Sequence, residues 1–458
     1  MVSINQEPLI RVGLMSGDNA PRTVKLTLTG RYKTQNGEVL ENAEYIASND
    51  EGSVRLAGGS LISAPRLTLT PVDFDASRAA VHGITIGVDF HWERSESQDF
   101  QGSLVFTPQS DRLLVINELP LEAYLVSVIS SEMSASAPTE LLRAHAIVSR
   151  SWLLAQMTSR DTKTGVVVRD EEAARDQGGP TEMICWWDRE NHADFDVCAD
   201  DHCQRYQGIS KAFSKEAFEA VRDTRGQVLM WGDDICDARY SKSCGGMTEE
   251  FRAAWEDRDM PYLRAAYDGE DEVAGYKMPL TVESNAEHWI RSNPPAFCHT
   301  DSAELLARIL PGFDQETRDF FRWEAGYSNG ELREIILDRA GLDPGRLVSL
   351  EAIERGKSAR IVRLKITGEK LTVVIGKELQ IRRALSRSHL YSSAFVVEAE
   401  RGLSSSYPKR FKLIGAGWGH GVGLCQIGAA VMAERGYGHE GILAHYFNRT
   451  SIRKLYRF

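Results

Sequence analysis

The 458-residue chain has no excess of basic side chains: 54 Lys and Arg stand against 65 Asp and Glu, a formal net charge of −11. General nucleic-acid binding relies on a basic surface that displaces counterions, so a polyanionic partner would need a local cationic groove. No stretch reaches the length of a membrane-spanning helix, and the N-terminal MVSINQEPLIRVGLMSG lacks the basic segment and apolar run of an export leader. Cysteine is scarce, seven residues widely spaced, and an odd number so distributed is no disulfide framework; reduced thiols or metal ligands are expected. Internal repeats and low-complexity tracts are absent. A nucleotide loop is missing too: the glycine-rich GAGWGHGVGLCQ carries no Lys-Ser/Thr and leaves too few residues for an acidic ribose reader.

What is present reads as a soluble globular protein, its 42% hydrophobic content sufficient for two or three domains. The first hundred residues favour strands, as in TVKLTL, where Val24, Leu26 and Leu28 alternate with Lys25, Thr27 and Thr29. RLLVINELP ends in an expected turn at Pro120. From Leu121 the spacing of Tyr124, Leu125, Val128 and Ile129 turns helical, and Glu132 of SSEMSASAP closes that helix. Pro138 suits the first position of a second helix, striped by Leu141, His145, Val148, Trp152 and Ala155, with Arg143 and Arg150 on another face. Residues 160–200 are acidic and turn-rich, an expected surface insertion, whereas 265–405, with IVRLKI, LTVVIG and an expected amphipathic helix near SAELLARIL, reads as an inserted β-rich unit. The fold expected is α+β: a helical hairpin packed on mixed or antiparallel sheet. Its boundaries are a β-rich N-terminal region 1–84, a core 85–264, the inserted unit 265–405, and a core return 406–458.

Four groups of residues can carry chemistry. Glu132, among small side chains, is either a solvated helix-terminal acid or a partly desolvated one that keeps a proton for general-acid work. Arg143 and Arg150, seven residues apart, either clamp an anion beside it or are ordinary surface arginines. The glycines around Trp418 and His420 draw backbone around a cleft or make a tight structural turn. HADFDVCADDHC offers His192, Cys198, His202 and Cys203, the ligand number of a closed zinc site at a spacing unlike a standard finger. Unrelated loop residues are the alternative, and Cys185 is a possible substitute ligand.

Taken together, INELPLEAYLVSVISSEM, PTELLRAHAIVSRSW, YSKSCGGMTE and GWGHGVGLCQIGAAVMAERGY with ILAHYF resemble, in order, the blocks of the SpoIID/LytB family, stage II sporulation protein D and amidase enhancers. The likeness runs from about residue 85 to the end, and PLIRVGL is similar to the family's opening. The resemblance implies a lytic transglycosylase acting on peptidoglycan glycan strands in the cell envelope, outside the cytoplasmic membrane, with Glu132 as its catalytic acid and base. It implies that Arg143, where lysine is usual, and Arg150 hold substrate. Lys242, Ser243, Gly245 and Gly246, with Trp418, His420, Gly421 and Gln426, are placed by it along the cleft. It also implies a structural zinc on His192, Cys198, His202 and Cys203, upstream of Tyr206 and Gly208, with no cofactor needed for catalysis. Two departures stand out: Ser134 where proline is usual, and Cys425 where serine is common. The alternative reading is a non-catalytic glycan binder that stimulates a cell-wall amidase. A third, a zinc amide hydrolase, needs an open metal position that two thiolates and two imidazoles would fill.

Overall fold

The computed structural model describes residues 6–58, 60–87, 94–134, 136–158, 165–169, 181–186, 192–200, 203–210, 214–270, 273–310, 319–402 and 406–456. The architecture is α+β, and the chain forms two compact units. The first comprises Met1–Arg150, Asn191–Val228 and Arg453–Phe458; the second comprises Ser151–Glu190 and Leu229–Ile452.

The first unit is built on two sheets, of seven and six strands. In Thr23–Thr29 the expected alternation holds, with Val24, Leu26 and Leu28 buried and Lys25 and Thr29 exposed. Arg112–Pro120 lies inside the seven-stranded sheet between Leu9–Met15 and Ser103–Gln109, so both of its edges are paired, and Leu113–Ile116 are all buried. No turn follows at Pro120. Its fixed φ of −58° passes the strand directly into helix α1, Leu121–Glu132, for which Pro120 is the N-cap.

Helix α1 is buried nearly all round: besides the expected apolar stripe, Glu122, Ser127 and Ser131 are inside. Helix α2 spans Thr139–Thr158, and the Pro138 carbonyl accepts its first hydrogen bond, from Leu142 N–H at 3.1 Å. Proline therefore precedes the helix and does not occupy its first position. The two helices are joined by a buried ion pair: Arg150 Nε and Nη2 donate to the two carboxylate oxygens of Glu122 at 3.0 and 2.6 Å. Glu122 also accepts from Gly226 N–H at 3.2 Å and from the Tyr456 hydroxyl, while Arg150 donates to the Gln227 carbonyl at 3.0 Å.

The second unit mixes helices and strands. A five-stranded sheet runs Gly165–Arg169, Thr181–Trp186, Thr372–Gly376, Ile361–Gly368, Leu347–Arg355, and a three-stranded one runs Arg322–Ser328, Pro408–Ala416, Phe395–Arg401. Residues 265–405 carry the helix expected at SAELLARIL, Ala303–Ile309, and besides it helices Glu283–Arg291, Asn329–Ala340 and Glu378–Ala384. Their strands do not close on themselves, because Thr181–Trp186 pairs in parallel with Thr372–Gly376 and Pro408–Ala416 pairs with two of them. Part of the acidic insertion is therefore sheet. Trp323, Leu364, Ile366, Phe395 and Leu413 belong to one of its buried hydrophobic cores.

Removing one partner of a buried ion pair strands the other charge in the interior, at a cost of about 3–5 kcal/mol. Arg150→Met is expected to destabilise the protein by that order in urea unfolding, and Glu122→Gln in the same chain to restore most of the loss.

Candidate functional site

Glu132 ends α1 with its side chain partly exposed, and one carboxylate oxygen accepts the backbone N–H of Arg205 at 3.1 Å. The next residue, Met133, is buried and caps the helix through its N–H to Ile129. Ser134, at the position where the family resemblance leads one to expect proline, holds the following turn by other means. Its hydroxyl lies 3.0 Å from that of Ser136, and its carbonyl accepts Ala137 N–H at 3.1 Å. A serine can thus shape this turn by hydrogen bonding where proline would do so by restricting φ.

The segment that presents Arg205 to Glu132 is the His/Cys loop. Val197–Cys198 adds a short parallel strand to the edge of Leu9–Met15, and Ala199 accepts Tyr206 N–H at 3.0 Å. The Tyr206 ring stacks on Tyr124 of α1 at 5.2 Å, and its hydroxyl donates to Asn117 of the sheet. On this scaffold His192, Cys198 and Cys203 converge, their ligand atoms all within 4.8 Å of one another, with Cys203 Sγ 3.5 Å from His192 Nε2. The predicted fourth ligand, His202, lies outside the described residues. Two thiols and an imidazole are the donor types zinc prefers. Cys185, the substitute ligand offered by the sequence, is not in this group of converging side chains.

The two arginines have different surroundings. Arg150 is fully buried and held by Glu122, which leaves it no surface to offer a ligand. Arg143 is partly exposed and bonded to Glu140 at 2.6 Å and Asp223 at 2.7 Å, an arrangement that raises its already high pKa. Spacing placed both on one helical face but carried no information about what that face meets.

Within the second unit the two predicted glycine blocks lie side by side. Ser243 and Trp418 form an antiparallel bridge, N–H to carbonyl both ways at 3.1 and 2.8 Å, and Tyr240–Ser241 runs parallel to Leu424–Cys425. Lys242 is partly exposed and its carbonyl accepts Ile427 N–H, while Gln426 is the buried first residue of helix α3, Gln426–Glu434. The Ser243 hydroxyl is buried with no hydrogen-bond partner among the described residues. Gly245 and Gly246 turn at positive φ, as do Gly417, Gly419, Gly421 and Gly423.

What these glycines fold around is Arg360, a residue with no motif to announce it. Buried completely, it donates to the carbonyls of Gly419 and Cys244 and to the Ser358 hydroxyl. A Cβ on Gly421 would lie 2.5 Å from its guanidinium. Ser358 relays the charge to Glu249, also buried, by donating to its carboxylate at 2.7 Å. Burial pushes Glu249 up and Arg360 down from their ordinary pKa values.

Trp418 is partly exposed between the rings of Phe320 and Tyr391, at 4.8 and 4.5 Å. His420, expected along the cleft, is not poised for acid–base work. Its Nδ1 accepts Val422 N–H at 3.0 Å, which puts the proton on Nε2, and Tyr240 contributes a further backbone hydrogen bond. Desolvation and the nearby Arg239 and Arg360 hold its pKa well below the usual histidine range. A histidine neutral in the fold but protonated in the unfolded chain makes unfolding take up a proton, so its contribution to stability falls as pH drops below about 6.5. His420→Gln is therefore expected to lower proton uptake on unfolding near pH 5.5 by about one proton relative to the parent. Unfolding titrations at pH 5.5 and 7.5 measure this; equal pH slopes would mean that folded His420 titrates normally.

Residues 109–231 match the family described as stage II sporulation protein (SpoIID), and 249–423 match a domain of unknown function, DUF8618. The chain is 24% identical to an amidase enhancer of Bacillus subtilis (strain 168) over 72% of its own length, yet spans only 40% of that relative. It is 23% identical to stage II sporulation protein D of Bacillus amyloliquefaciens, and 23% identical to that of Bacillus subtilis (strain 168). Each of these alignments covers 74% of this chain and 75% of the relative. The ordered blocks and these matches together support membership of the SpoIID/LytB family, the family match itself lying within residues 109–231.

Proposed function

We propose that the protein is a lytic transglycosylase of peptidoglycan glycan strands, with Glu132 as its single acid and base. The observation that carries this reading is the placement of Glu132: a partly exposed carboxyl at the end of a buried helix, oriented by Arg205 N–H. One carboxyl suffices for a lyase, whereas a glycosidase that uses water needs a second to activate it or to act as nucleophile. Protonated Glu132 gives its proton to the glycosidic oxygen as the C1–O bond breaks. The resulting carboxylate takes the proton of the C6 hydroxyl, whose oxygen bonds to C1 and closes a 1,6-anhydro ring. The acid is regenerated and no water is consumed.

The loop that holds Glu132 suits a structural metal. His192, Cys198 and Cys203 would hold zinc, with His202 as the sequence's candidate for the fourth position, and the metal would neutralise the thiolates. Arg205 lies two residues beyond Cys203, so the loop's anchoring fixes where its N–H meets Glu132. Trp418, flanked by two rings, offers a flat face of the kind that packs against sugars.

A second reading is favoured by one finding, the likeness to a protein named amidase enhancer. In that case the chain binds glycan without cleaving it and stimulates a cell-wall amidase. Incubation with glycan strands lacking stem peptides, followed by mass spectrometry, separates the two. The lyase reading expects 1,6-anhydro ends, lost by about 10²–10⁴-fold in Glu132→Gln with unchanged thermal stability. Reducing ends alone would contradict the lyase mechanism. Binding without turnover, with amidase stimulation intact in Glu132→Gln, would establish the enhancer.

A further inference from the structure

The second unit contains a side-chain cluster that no sequence motif announced. Cys244, Asp268, Cys298 and Cys425, all buried, bring three sulfurs and one carboxylate oxygen within 4.8 Å of one another. They come from four separate segments. Cys244 sits in the turn before Gly245, Cys425 immediately before α3, and Asp268 and Cys298 in the irregular chain on either side of helix Glu283–Arg291. We propose that these four side chains form a second metal site, a closed tetrahedral one for a zinc-class divalent cation.

Two of its ligand–ligand edges are close to those of such a site. Zinc binds thiolate sulfur at about 2.3 Å and carboxylate oxygen at about 2.0–2.2 Å, so a tetrahedron of these ligands has sulfur–sulfur edges near ~3.8 Å and sulfur–oxygen edges near ~3.5 Å. Cys244 Sγ lies 3.6 Å from Cys298 Sγ and 3.3 Å from Asp268 Oδ2. The sulfurs are too far apart for a disulfide bond, which needs about 2.05 Å.

The surroundings orient the donors as outer-shell partners do around a metal. Asp268 Oδ1 accepts the Tyr446 hydroxyl at 2.7 Å and lies 3.5 Å from His445 Nε2, leaving Oδ2 turned to the sulfurs. Oδ2 also takes the Cys298 N–H at 3.1 Å, and Cys425 Sγ takes the Cys244 N–H at 3.2 Å. Room for this is made by Gly428 of α3: a Cβ there would lie 2.4 Å from the Tyr446 hydroxyl and 2.7 Å from the Asp268 carboxylate. Three thiols around one buried carboxylate are more polar than packing requires, and a soft-tolerant cation is the partner that uses all four.

The site would clamp the two glycine blocks, because Cys244 follows Ser243 and Cys425 precedes Gln426. It also gives Cys425 a reason for replacing the serine expected there. Zinc brought by this cluster must be told apart from zinc on His192, Cys198 and Cys203. Protein purified without added metal, carrying Cys198→Ser and Cys203→Ser, is expected to retain about one equivalent of zinc by elemental analysis, lost on adding Cys298→Ser. Its X-ray absorption should fit three sulfurs and one oxygen at about the distances above. A folded background variant that holds no zinc, takes up no added Co²⁺ and gives no thiolate-to-cobalt band would overturn the site. Should that background not fold, the parent chain and its Cys298→Ser variant decide: loss of one equivalent supports the site, and unchanged metal content refutes it. A parent mass two daltons low, mapped to a Cys244–Cys298 disulfide, would refute it as well.

Discussion

The placement of Glu132 depends on a charge pair at the other end of its helix. Glu122, in the first turn of α1, is bound through both oxygens by Arg150 of α2, and its remaining capacity is filled by Gly226 N–H and Tyr456. An acid so deeply buried is tolerable because both of its oxygens are hydrogen-bonded and its charge faces a guanidinium. That satisfaction fixes the start of α1. Ten residues on, about 15 Å along the axis, the same rigid helix delivers Glu132 to Arg205 N–H. An arginine that the sequence suggests as a ligand clamp therefore serves the acid at one remove, as the residue that sets the helix carrying it.

The second unit uses a buried cation in a comparable way. Arg360 reaches the carbonyls of Cys244 and Gly419, so a single guanidinium ties the Ser-Lys-Ser-Cys-Gly-Gly turn to the glycine-rich segment. Glycine is needed there for access as much as for torsion, since Gly421 has φ 74° and no space for a Cβ beside Arg360. The result is a backbone drawn in tightly enough to bury Ser243 and Gln426 while Trp418 and His420 stay partly exposed.

What could be read from sequence was what is local. The spacing of Tyr124, Leu125, Val128 and Ile129 announced α1, and all four are buried. His192, Cys198 and Cys203 were visible as a set because they fall within one short loop. The cluster of Cys244, Asp268, Cys298 and Cys425 was not: Cys244 and Cys425 are 181 residues apart and meet only through the fold. Periodicity likewise could not say that the α1 and α2 faces meeting at Glu122 and Arg150 are interior, and it announced the helix at SAELLARIL but not Glu378–Ala384, which packs against the strands of IVRLKI and LTVVIG. Arg360 lies in an ordinary strand-like context, SARIVRLK, whose importance comes from what approaches it.

The central claim is that Glu132 meets the glycosidic oxygen of a glycan strand. A crystal structure of the Glu132→Gln protein with a glycan oligosaccharide lacking stem peptides tests it directly. The account predicts a glycosidic oxygen within hydrogen-bond reach of the substituted side-chain amide, about 2.6–3.2 Å, with a C6 hydroxyl on the same side. Sugar bound in full occupancy elsewhere, with no atom near the substituted position, would contradict it.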